Sequence, residues 1–213
     1  MKNMKAALTA LALMIAGPAA AQDTAGEFDY YVMSLSWSPN WCDLTGRARN
    51  SPQCAQDADF GWVLHGLWPQ YDRGYLQDCH SKYGPPSRRD TEGMADIMGT
   101  SGLAWYQWNK HGSCTGLSPQ SYYRTARQAY DSIRIPQAFR KLTRDVTLPA
   151  SLIEDAFVDA NPNLPRDGVT ITCTDGAIQE TRICLTRDLQ PRGCGVDVIR
   201  DCTLTSAAFG AID

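Results

Sequence analysis

Apolar and polar positions alternate most clearly near the two ends of the chain. Residues 30–38, YYVMSLSWS, start β-branched and aromatic, then run Ser34, Leu35, Ser36, Trp37, Ser38. That is the period of a strand with one buried face. Pro39 ends it, and a loop rich in Arg, Gln and Pro follows to Gln56. Residues 60–67, FGWVLHGL, predict a second, buried strand, which Trp68-Pro69 stops. Residues 168–174, GVTITCT, alternate again. Asp175-Gly176 is a hairpin signal, and Ile178 to Leu185 is the partner strand.

Helical spacing takes over in the middle. Residues 71–89 read as loop, and Thr91 to Met98 is a weak helix candidate. Ser118-Pro119 supplies a cap and a first-turn proline, followed by Tyr122, Ala126, Ala129, Tyr130 and Ile133 on one face. A further helix is predicted from Pro149 to about Ala160, closed by Pro162 and Pro165. Strands, then helices, then strands make an α+β domain the expectation, not a repeating βαβ fold. Nothing in the chain marks a repeat or a linker, so one domain is expected over residues 22–213.

Residues 1–21 read differently. Lys2 and Lys5, the apolar run Ala6 to Ala16, and Ala19-Ala20-Ala21 have the three zones of a secretory signal. The run is too short for a bilayer span, so a periplasmic or secreted protein without a membrane segment is expected. The chain has eight cysteines, all beyond this leader. An even count in an exported chain argues for disulfides. No CxxC pair occurs, and the three histidines are scattered, so no metal or cofactor site is expected. The formal net charge is −3. That excludes bulk basic attraction as the way of holding nucleic acid, so a nucleic-acid enzyme of this composition would have to grip locally.

The chemistry concentrates in WYQWNKHGSC, residues 105–114. It could hold a cysteine nucleophile, a serine nucleophile, a metal or an acid–base pair. Cys114 would have to be a free thiol in an oxidising compartment. Ser113 lacks the GxSxG elbow, and metal ligands are too few. Two of the three histidines share a setting: LHGLW around His65 and KHGSC around His111. Each precedes glycine and has tryptophan within three residues. His80, in a polar loop, reads as a surface residue. A histidine pair can supply base and acid near neutral pH, although a single histidine is more often structural. As a helix, residues 106–111 put Gln107, Lys110 and His111 on one face, with Tyr106 one turn before Lys110. An amide, an ammonium and an imidazole together suit an anion that gains charge. Trp105 and Trp108 fall on the other side, toward the core.

Two segments together resemble the ribonuclease T2 family: GWVLHGLWPQ, residues 61–70, and WYQWNKHGSC. FDYYVMSLSWSPNWC, FVDANPNL and the late cysteine-bearing strands extend the resemblance over most of the chain. It implies an α+β fold with a central antiparallel sheet and flanking helices. It also implies cofactor-free, metal-independent cleavage of single-stranded RNA to 2′,3′-cyclic phosphates, with slower hydrolysis to 3′-phosphates. DNA, lacking the 2′-hydroxyl, would not be cut. By position, His111 resembles the general base, His65 the general acid and Lys110 the stabiliser of the charged phosphorane. Trp68 resembles a base-stacking aromatic, against which stands the reading of a buried tryptophan. Gln70 occupies a base-contacting position where aspartate is common. The resemblance implies disulfides Cys79–Cys114 and Cys184–Cys194 nested inside Cys173–Cys202, leaving Cys42–Cys54.

Tyr106-Gln107 departs from the family, in which His-Glu is common and the glutamate is counted as catalytic. Gln107 cannot ionise but can donate a hydrogen bond to a phosphoryl oxygen, and Tyr106 can offer its hydroxyl. This departure keeps a second reading open: an exported RNA-binding or inhibitory protein of the same fold with reduced catalysis. An exported thiol or serine hydrolase is a third. Nothing in the sequence asks for more than a monomer.

Overall fold

The computed structural model describes residues 24–212. The expected leader, residues 1–21, lies outside them. The strands are β1 (Tyr30–Trp37), β2 (Trp62–Gln70), β3 (Val146–Leu148), β4 (Val169–Thr174), β5 (Ala177–Thr186) and β6 (Ala207–Phe209). The helices are α1 (Ser38–Trp41), α2 (Arg88–Glu92), α3 (Ala95–Met98), α4 (Ser101–Lys110), α5 (Pro119–Ser132) and α6 (Ala150–Ala160). The sheet runs β2-β1-β5-β6-β3, with β4 on the other side of β5. Its pairings are antiparallel except for one parallel contact, Ala177 to Ala208 between β5 and β6. This is the expected α+β architecture. No helix among the described residues is long and apolar enough to cross a membrane.

The two faces of the sheet differ. Tyr31, Met33, Leu35 and Trp37 of β1 join Leu64 and Leu67 of β2 and Ile183 and Leu185 of β5 in the main core. α4, α5 and α6 cover that face through Ala104, Trp108, Tyr122, Ala126, Ile153 and Phe157. Burying a side chain such as Ile153 or Phe157 contributes roughly 1.5–3 kcal/mol. The opposite face carries only a small cluster of Tyr30, Val32, Cys184 and Val198. Ser34, Ser36, Glu180, Arg182, Thr170 and Thr172 alternate with the core residues and point to this second face.

Four expectations need correction. β2 does not stop at Trp68-Pro69 but runs on to Gln70, with Pro69 paired to Tyr31. β2 is an edge strand, where a proline without an N–H costs no ladder bond. The 71–89 segment yields to helix at Arg88, because Ser87 and Asp90 form a reciprocal cap. Gly93 then divides the Thr91–Met98 candidate between α2 and α3. Trp105 is not a core residue: it is 52% exposed, whereas Trp108 is 2% exposed.

Three tyrosines of α5 connect the elements that carry the candidate site. Tyr122 donates to the Leu67 carbonyl at 3.1 Å and Tyr130 to that of Trp62 at 3.3 Å, both on β2. Tyr123 donates to the Ala104 carbonyl of α4 at 2.9 Å. The loop after β2 is tied to the end of α4 by Asp78 N–H to the Lys110 carbonyl, 2.7 Å, and by the Cys79–Cys114 disulfide. The other disulfides are Cys42–Cys54, Cys173–Cys202 and Cys184–Cys194, so all four pairings match those the family resemblance implies. Replacing Cys79 and Cys114 together with serine should cost about 2–4 kcal/mol of unfolding free energy. Denaturant titration checks this, and an unchanged midpoint would contradict it.

Candidate active site

The register of β2 against β1 slips by one residue in the middle of the strand. Ser34 faces Gly66, and Leu35 faces Leu64, leaving His65 as the extra residue of a β-bulge. Strict alternation would put His65 and Trp68 on opposite faces of the sheet. The bulge instead sends Leu64 and Leu67 into the core and leaves His65, Trp68 and Gln70 on the second face.

α4 brings the other group. Thr100 caps its N-terminus by accepting the Leu103 N–H at 3.0 Å. Its last turn ends at Lys110, and His111 follows as the C-cap, its N–H bonded to the Gln107 carbonyl at 2.9 Å. Trp68 lies between the two histidines. Its ring centre is 5.4 Å from that of His65 and 5.2 Å from that of His111. Its indole N–H donates to Gln107 Oε1 at 2.8 Å. The even choice between stacking surface and buried tryptophan resolves into a partly buried ring, held by one edge and lining a cleft of about 500 Å³.

Gln70 and His111 line the same cleft, with Tyr75, Asp197, Arg182 and Arg200. Lys110 Nζ sits 5.7 Å from the ring centre of Tyr106, which is about half exposed. Gln107 departs from expectation. It is 1% exposed, and its oxygen is committed to Trp68 instead of lying open beside Lys110. His80 is exposed as expected. Cys114 is in a disulfide, and the Ser113 hydroxyl donates to the Asn109 carbonyl at 3.0 Å, so neither is an activated nucleophile. Among the described residues no three His, Cys, Asp or Glu side chains group to hold a metal ion.

Both glycines that follow the histidines are required by packing. A Cβ on Gly66 would lie 2.3 Å from Gln107 Oε1 and 2.4 Å from Trp68 Nε1. A Cβ on Gly112 would lie 2.7 Å from the Trp108 ring and 3.0 Å from that of Tyr122.

Sequence reasoning missed Glu180 and Arg182, neighbours on the site face of β5. His65 Nδ1 is 2.5 Å from Glu180 Oε1. Arg182 donates twice to the other carboxylate oxygen, at 2.9 and 2.7 Å, and its guanidinium stands 5.5 Å from the Trp68 ring centre. The only signal was a Glu and an Arg two apart inside a predicted strand, on one face of it. Burial by itself would favour a neutral Glu180, but the bond and charge of His65 and the charge of Arg182 outweigh it and hold the carboxyl well below its ordinary range.

His111 is perturbed by different causes. Burial foremost, then the Lys110 charge and that of His65, push it down to about 4, against a weaker opposing pull from the Leu76 backbone. Its Nδ1 is buried without a well-formed hydrogen bond. The ring is therefore neutral at pH 7.

Comparison with known proteins places these features in a family. The family model "Ribonuclease T2 family" matches residues 28–194. The chain is 42% identical over 106 residues to "Ribonuclease" of Aeromonas hydrophila, covering 50% of this chain and 46% of that one. It is 31% identical over 137 residues to "Probable ribonuclease" of Haemophilus influenzae, covering 58% and 49%. The chain thus spans about half the length of these two relatives. Among solved structures, the RNase-related protein from Calystegia sepium superposes with a TM-score of 0.69 at 18% identity, over 88% of this chain and 99% of that one. The chain belongs to the ribonuclease T2 family.

A histidine whose value falls on folding costs stability as pH drops. The unfolded ring takes its proton below about 6.5, the folded one only near 4. Stability should therefore decline between these values. NMR titration of His111 should give a midpoint near 4, and Lys110→Met should move it upward. A midpoint near 6.5 would contradict the assigned environment.

Proposed function

We propose that the protein is an endoribonuclease that cleaves single-stranded RNA by acid–base transphosphorylation. The observation that carries this reading is the pair of histidines on either side of Trp68, in opposite electrostatic settings. His111, kept neutral by burial and Lys110, is suited to accept a proton. His65, bonded to an ionised carboxylate, is suited to hold and deliver one.

In the proposed reaction His111 takes the proton of the ribose 2′-hydroxyl. The 2′-oxygen bonds to the adjacent phosphorus, and the bond from phosphorus to the 5′-oxygen breaks. His65 protonates that leaving oxygen, giving a 2′,3′-cyclic phosphate and a 5′-hydroxyl. Slower opening by water reverses the roles: His65 accepts a proton from water, the water oxygen bonds to phosphorus, and the 2′-oxygen leaves with a proton from His111. Lys110 offsets the charge gathering on the non-bridging oxygens, a preorganised electrostatic role, and the Tyr106 hydroxyl, one helical turn earlier, assists it. Trp68 offers a face for a base and Gln70 a polar edge beside it. Gln107 serves chiefly by holding the Trp68 indole. The four disulfides fit export to the periplasm or outside the cell, and we take the working form to be a monomer.

The replacement of glutamate by Gln107 favours the second reading, RNA binding or inhibition with little turnover. Analysis of RNA ends separates the two. Cyclic-phosphate termini should appear with the parent protein, persist with chelator present and be absent on DNA. His65→Ala and His111→Ala should each lower the rate by at least about 100-fold. RNA that is bound yet left intact by the parent, but cut by Gln107→Glu, would replace the enzyme reading with the second one.

A further inference from the structure

We infer that Glu180 is a positioning residue for His65, holding the imidazole so that Nε2 faces the leaving oxygen. The inference rests on the reading of His65 as proton donor. His65 has no ladder partner in β1, so the sheet alone leaves its ring without a fixed bearing. Glu180 supplies one from the middle of β5, where it pairs with Ser36 and Thr172. It is 3% exposed, and its Oε1 lies 2.5 Å from Nδ1.

An ionised carboxylate can only accept hydrogen bonds. Nδ1 must therefore carry a hydrogen in both protonation states of the ring. The proton that comes and goes is then the one on Nε2. Arg182 fixes the carboxylate in turn, occupying Oε2 with two N–H groups and leaving Oε1 to the histidine. A purely structural ion pair would be complete with Arg182 alone, and the third bond, to His65, reaches into the site.

The charges around His65 give this contact weight. Arg182 lies beside it on β5, and His111, at the end of α4, lies across Trp68; both are cationic or can become so. Among the described residues, the carboxylate bonded to His65 is that of Glu180.

The test uses a defined single-stranded RNA and four proteins: parent, Glu180→Gln, His65→Ala and the double variant, with thermal unfolding of each. Glu180→Gln should lower kcat about 10- to 100-fold, the range expected from a misplaced catalytic group, with KM little changed. The alkaline limb of its pH–rate profile should move to lower pH, and Glu180→Asp should recover part of the loss. The double variant should be no slower than His65→Ala. Parental kcat and pH profile in Glu180→Gln, or additive losses in the double variant, would overturn the positioning role while leaving His65 in place. An active His65→Ala would overturn the reading of His65 itself. If Glu180→Gln does not fold, nitrogen-15 spectra of the parent decide. Neutral His65 should carry its hydrogen on Nδ1, and an Nε2–H form would overturn the inference.

Discussion

The extra residue in β2 is the constraint on which the site depends. Without it, the alternation of an edge strand would bury either His65 or Trp68 in the core. With it, three residues of one short segment face the same way while Leu64 and Leu67 keep their places beneath. The second half of the site meets that arrangement at the hydrogen bond from Trp68 to Gln107. That bond exists because Gly66 leaves room for it. The tyrosines of α5 then lock β2 and α4 in a common frame. Strand irregularity, a missing side chain and an indole N–H therefore act as one device.

The same frame makes two chemically identical side chains unlike each other. His111 ends a helix, is largely buried and has a lysine as its chain neighbour, all of which disfavour its charged form. His65 is a third exposed and bonded to a buried carboxylate. Environments that separate two titratable groups are what acid–base division requires. A glutamine at position 107, where the family resemblance implies a glutamate, fits this arrangement. A carboxylate is present in the site on β5, and Gln107 can do by amide what holding an indole requires.

Much of this was legible in the chain. Alternation located β1, β4 and β5, and helical spacing located α5 and α6. The Lys110-His111 pair and its partner His65 stood out by their matched glycine settings. What escaped depends on cross-strand register. Glu180 and Arg182 are ordinary strand residues until β5 is aligned with β1 and the bulge turns His65 toward them. Pro69 misled because the sequence does not say which strand is an edge. Trp105 misled because α4 covers the core only with its Ala104 and Trp108 side, and three-residue strands such as β3 and β6 are too short to leave a period.

The proposed division of proton transfers between the two histidines is tested most directly by a change of leaving group. An RNA in which sulfur replaces the 5′-bridging oxygen at one linkage releases a thiolate, which needs no proton from the protein. On that substrate His65→Ala should cut within about tenfold of the parent rate, because the contribution of a general acid, about 10²–10⁴-fold, is no longer called on. His111→Ala should remain as impaired as on oxygen. A His65→Ala variant as impaired on sulfur as on oxygen, or rescue of His111→Ala instead, would contradict the division of roles.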